Sequence, residues 1–147
     1  MSESAPRLAY LPGALADLVG RVGESESVDC LRMLSISVID VAALGVHACV
    51  RDTLTQWREQ GRISPATRSQ LESSCARYEV EAARAHRETD IDAQRAAFIR
   101  ARALHCLLEA VATDRPASYR LAEVAYEAMI VMGAASGVVA VLVEFVV

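Results

Sequence analysis

The chain has 147 residues, enough for one domain with a proper core. Its 15 basic and 19 acidic residues leave a net charge of −4 and a pI near 5.4, which excludes the broad basic footprint of a general nucleic-acid binder. It is 53% hydrophobic with a mean hydropathy of +0.24, and has only four Pro and seven Gly to punctuate it. Few breakers and abundant Ala, Val and Leu point to an all-α fold, an up-down bundle of four to five helices with a long central helix. So apolar a balance needs an oligomer interface, a membrane or an unusually large core to absorb it.

Every cationic side chain is Arg, and both Lys and Asn are absent, which reads as the base composition of a GC-rich bacterial genome. Cys30, Cys49, Cys75 and Cys106 are widely spaced with no C-x-x-C pattern, as in reduced, packed thiols of a cytoplasmic protein. The opening Met-Ser-Glu-Ser is polar and acidic, unlike a secretory signal.

Residues 1–10 read as a flexible arm. A short helix follows over about 12–22, with Pro12 in its first turn and Leu15, Leu18, Val19 and Val22 on its apolar side. The stretch 28–60 reads as one long helix, because Gly45 is its only breaker and Gly61 stands where a helix would end. At ~1.5 Å per residue it would span about 50 Å. Asp29, Ser37, Asp40, His47, Arg51, Thr55 and Arg58 fall on one narrow polar line along it, and the apolar remainder makes it the centre of the bundle. Asp40 and His47 are weak candidates for a polar site, a carboxylate and an imidazole within an apolar run. Two helical turns, ~10 Å of rise, hold them too far apart for a direct hydrogen bond.

Ser64 and Pro65 supply a cap and a first-turn Pro for a helix over 65–88. The apolar stripe then slips near residues 86–90, so a fourth helix is expected over 91–112, capped by Thr89 or Asp90; a single helix over 65–112 is the alternative. His105 and Glu109, at i,i+4, are the second pair of weak polar-site candidates. No Glu-x-x-His and no metal-ligand spacing occurs, so neither a metal nor a cofactor is expected.

The last helix, over 117–147, opens with Tyr119, Arg120, Glu123 and Glu127 along one polar side. That side then vanishes: residues 128–143 carry no charge, and the line continues as Ile130, Ala134, Gly137 and Val141. With the small residue Gly133, these five are the interface candidates. The expected function is therefore a non-enzymatic helical interaction or assembly protein in the cytoplasm. It would self-associate as a homo-oligomer or dock on a protein partner through this helix, without nucleic acid. Two alternatives follow from the same segment. Gly133 and Gly137 form a GxxxG in a stretch that suggests a membrane-associated protein held by residues 128–147, although an uncharged run of ~24 Å is short of a hydrocarbon core of ~30 Å. Helices 28–60 and 117–147 could also wall an apolar small-ligand pocket.

Overall fold

A computed structural model describes residues 5–146. Their regular structure is all-α, in seven α-helices: α1 (Gly13–Arg21), α2 (Glu24–Val41), α3 (Ala48–Gln60), α4 (Pro65–Arg87), α5 (Ile91–Ala110), α6 (Ala117–Met132) and α7 (Ala135–Leu142). Short 3-10 turns, Pro6–Tyr10 and Val143–Phe145, stand at either end. An isolated antiparallel bridge between Val22 and Val146 ties the α1–α2 junction to the carboxyl end.

Seven helices stand where four or five were expected, because two long stretches are each divided. The first break corrects the helix over 28–60. α2 stops at Val41, and Ala43 takes a left-handed conformation with φ of 57°. The Ala43 N–H donates to Asp40 O at 3.1 Å and the Leu44 N–H to Ile39 O at 3.0 Å, the two reversed bonds of a Schellman motif. Leu44 and Ile39, which that motif brings together, are both buried. The position that normally calls for Gly is filled by Ala, and Gly45 lies two residues too late to announce it. His47 then occupies the N-cap position of α3. The polar line running from Asp29 to Arg58 is therefore not continuous.

The second break corrects the helix over 117–147. Gly133, at φ of 77°, ends α6; its N–H donates to Ile130 O at 3.3 Å, and Ala134 is extended before α7 starts. Val147 lies outside the described residues, as do residues 1–4. Within the expected flexible arm, Pro6–Tyr10 is instead a 3-10 turn packed on α6.

Between α4 and α5 the same reversed bonding recurs, with Thr89 left-handed at φ of 55°, its N–H donating to His86 O, and the Asp90 N–H donating to Ala85 O. Asp90 also caps α5, its Oδ1 accepting from the Ala93 N–H at 3.1 Å. α4 begins at a similarly braced corner. Ser64 Oγ accepts from the Thr67 N–H at 3.1 Å, while the Gln56 side chain reaches from α3 to both Ser64 N and Thr67 Oγ1.

The α4–α5 pair makes the most extensive packing, followed by α5 on α6 and α2 on α6. The centre of the molecule is α6 rather than the 28–60 stretch. Ten of its 16 residues are buried, and α1, α2, α5, α7 and the first 3-10 turn all lie against it. Leu31, Leu34, Val38, Leu104, Leu107, Leu121 and Val124 are fully enclosed in the common core.

Candidate functional site

The buried face of α6 carries charge. Glu123 is 6% exposed and Glu127 only 1%, although their side of the helix read as a solvated one. Burying a carboxylate costs several kcal/mol unless it is paired, and the pairing comes from distant parts of the chain. The Arg7 main-chain N–H donates to Glu123 Oε1 at 3.2 Å, and its Nε stands 3.4 Å from Glu123 Oε2. Arg7 Nη1 also donates to Glu127 Oε1, which Arg102 Nη1 approaches from α5 at 3.4 Å. Arg7 further lies over the Tyr126 ring at 4.9 Å, and Tyr10 meets that ring edge-on. The second carboxylate oxygen, Glu127 Oε2, is buried without a hydrogen-bond partner among the described residues. Burial opposes the Arg7 charge, but Glu127 and Glu123 outweigh it and its pKa is raised.

Glu109 borders this network and is half-buried. Burial first, then the Glu123 charge, push its pKa up against the pull of Arg7. A carboxyl whose folded pKa is raised contributes stability below its unfolded pKa, about 4.3, and loses it as pH rises through the folded value. Glu109→Gln is accordingly expected to raise the urea midpoint at pH 7. The gain should vanish near pH ~4, where the wild-type side chain also becomes neutral.

On the neighbouring face of the α4–α5 hairpin, Cys75, Glu79 and His105 converge. Cys75 Sγ lies 3.6 Å from Glu79 Oε1 and 3.5 Å from Ala101 O. His105 Nε2 donates to the same Glu79 oxygen at 2.7 Å, and one donor atom from each residue falls within 4.8 Å of the other two. Burial, reinforced by Glu79, pushes the Cys75 thiol up to about 12, so without a further cation it stays protonated. The hydrogen bond from His105 lowers the Glu79 pKa against burial, with a smaller contribution from Cys75. Arg102 bears electrostatically on both Cys75 and Glu79, so the triad and the buried ion-pair network are contiguous.

The expected polar candidates do not meet. Asp40 is exposed on the last turn of α2, and His47 bonds instead to Tyr78, Nε2 to Oη at 2.9 Å. His105 pairs across the hairpin with Glu79 rather than along its own helix with Glu109. The interface candidates are also divided. Gly133 and Ala134 form the exposed α6–α7 turn, while Val141 is half-buried against the core. A Cβ at Gly137 would come within 2.7 Å of Met132 Sδ. Ile130 lies elsewhere, lining a depression with Arg7, Tyr10, Arg102 and Tyr126. An apolar depression is present, but between the amino-terminal turn, α1 and α6, where Leu8, Ala16, Val19 and Tyr119 line it.

The residues of both clusters that sequence reading missed are Arg7, Cys75, Glu79, Arg102, Glu123 and Glu127. Glu123 and Glu127 did leave a signal, since a short acidic line ending inside an apolar helix also describes a buried ion pair. The chemistry that these two clusters offer is ion pairing and cation ligation, and burial raises the pKa of the Cys30, Cys75 and Cys106 thiols alike. No protein-family model matches the chain, and neither does a curated protein or a solved structure.

Proposed function

We propose that the protein is a non-enzymatic helical assembly protein that self-associates, or docks on a protein partner, through its α6–α7 end. The observation that carries this reading is an uncharged stretch that comes to the surface. Residues 128–143 hold no charged side chain, and within them Gly133, Ala134, Ser136, Ala140 and Val143 are exposed. Other apolar side chains are open too: Val41, the last residue of α2, is 56% exposed, and Val46, in the loop that follows, 77%. A second copy offers the same surface, as a two-fold interface requires. An up-down bundle suits this reading, with α4 and α5 antiparallel across a three-residue turn. A cytoplasmic location fits four free cysteines, which persist in a reducing compartment.

The test is Ala134→Arg. Ala134 is exposed and has φ of −162°, which any residue adopts, so the substitution should leave the fold intact. It is expected to turn a discrete oligomer into a monomer, read by light scattering, with unchanged helical circular dichroism. An oligomer of unchanged size would reject the surface. Gly137→Leu is a poorer probe, because its side chain would strike Met132 within the same chain. Among the described residues no helix is long and apolar enough to cross a membrane. Recovery of the intact protein only in the membrane pellet would nevertheless favour the membrane-associated alternative.

A further inference from the structure

We propose that Cys75, Glu79 and His105 form a binding site for one divalent cation of the Zn2+ type, independent of the assembly surface. The donor set is one thiolate, one carboxylate and one imidazole, the mixture that suits a borderline-soft ion better than Mg2+ or Ca2+. With metal–ligand lengths of ~2.0–2.3 Å, tetrahedral ligation separates donor atoms by about 3.3–3.6 Å. Cys75 Sγ and Glu79 Oε1 already stand 3.6 Å apart. The His105–Glu79 contact of 2.7 Å must open by roughly half an ångström. The third separation, Sγ to imidazole, is within 4.8 Å. These are side-chain adjustments on the two helices that make the most extensive packing among the described residues.

Charge and access agree with the geometry. A thiolate and a carboxylate balance a dication, while the neutral imidazole adds no charge. On binding, the Cys75 S–H bond breaks as the sulfur–metal bond forms, and the proton leaves to solvent. The Nε2 proton that His105 donates to Glu79 leaves as well, to solvent from a protonated ring or by way of solvent to Nδ1 in a neutral one, so Nε2 gives its lone pair to the metal and the one ring proton sits on Nδ1. Cys75 is buried at 3% exposure, whereas Glu79 and His105 are about half exposed, so an ion can enter and a fourth position remains open to water. Buried Cys30 and Cys106 lack such access. Cys49 is the one half-buried thiol that could compete, with Ser74 Oγ at 3.6 Å as its neighbour. The local sequence conceals the site, because the His comes from α5 and the other two ligands from one face of α4.

The experiment titrates the full-length protein with Co2+ under a non-thiol reductant. A single equivalent per chain is expected to produce a thiolate-to-cobalt charge-transfer band in the near ultraviolet with tetrahedral d–d bands, and Zn2+ should displace both. His105→Ala and Glu79→Gln change half-exposed side chains and should fold normally, each weakening binding by at least ~10-fold. Cys75→Ala should abolish the charge-transfer band, and Cys49→Ala should leave it unchanged. The proposal is overturned if no band forms, if the band survives both His105→Ala and Glu79→Gln, or if it disappears with Cys49.

Discussion

Replacing Arg7 and Arg102 together by Met is expected to destabilise the protein by roughly 3–5 kcal/mol, whereas Glu127→Gln should cost only about 1–2 kcal/mol. The asymmetry follows from who is buried. Glu127 has 1% of its side chain exposed, and each arginine has 34%. Removing both cations leaves a carboxylate sealed beneath α5 and the amino-terminal turn, with one oxygen already lacking a partner among the described residues. Removing the carboxylate frees two arginines whose heads reach water while their stems continue to cover apolar surface. Met keeps that cover, so packing loss is largely subtracted. Urea unfolding of the two variants and the wild type at pH 7 measures the difference. If Glu127→Gln is the more damaging change, the network is not organised around a buried carboxylate.

The second large effect has the unusual sign of stabilisation. Ala43→Gly and Thr89→Gly should together raise the unfolding free energy by roughly 2–3 kcal/mol, with Thr89 contributing the larger share. Both residues hold left-handed backbone conformations in Schellman turns, at φ of 57° and 55°. A Cβ is disfavoured there, and the branched Thr more so, although its Oγ1 recovers part of the cost by donating to Glu88 O at 2.7 Å. The two turns lie in separate loops, so the gains should add. For a domain of this size the melting temperature should rise by roughly 5–10 °C. A continuous helix through residue 43 predicts the reverse, since Gly in a helix interior costs about 0.5–1 kcal/mol relative to Ala. The sign of the Ala43→Gly change therefore tests the break itself.

These turns also show what the sequence could convey. The all-α class was legible because Gly and Pro are scarce and the apolar spacing is helical. Helix ends were legible where chemistry marks them: Ser64 with Pro65, Asp90 ahead of α5, and Gly61 after α3. The ends at Ala43 and Gly133 were not. At Ala43, tertiary packing of Leu44 holds a residue without any turn signal. At Gly133, the glycine read as a small interface residue within a helix, when its φ of 77° makes it the terminator.

The polar clusters were hidden for a different reason. Arg7 and Glu127 lie 120 residues apart, and His105 and Glu79 lie 26 apart. Pairing over such separations leaves no periodicity to read. Along α6, Glu123 and Glu127 share a face whether that face meets water or Arg7, so the helical wheel alone assigns them to solvent. The apolar segment after residue 128 was likewise open to two readings, a face buried in its own bundle or one buried between subunits. Much of it covers this chain's own core, and only the α6–α7 turn and the outer side of α7 remain open.

Light scattering on the purified chain, eluted from a sizing column without detergent over a range of concentrations, tests the assembly reading most directly. The reading predicts a discrete, concentration-dependent oligomer that Ala134→Arg reduces to the monomer mass. A wild-type protein that elutes at the monomer mass of 15.8 kDa throughout that range would contradict self-association.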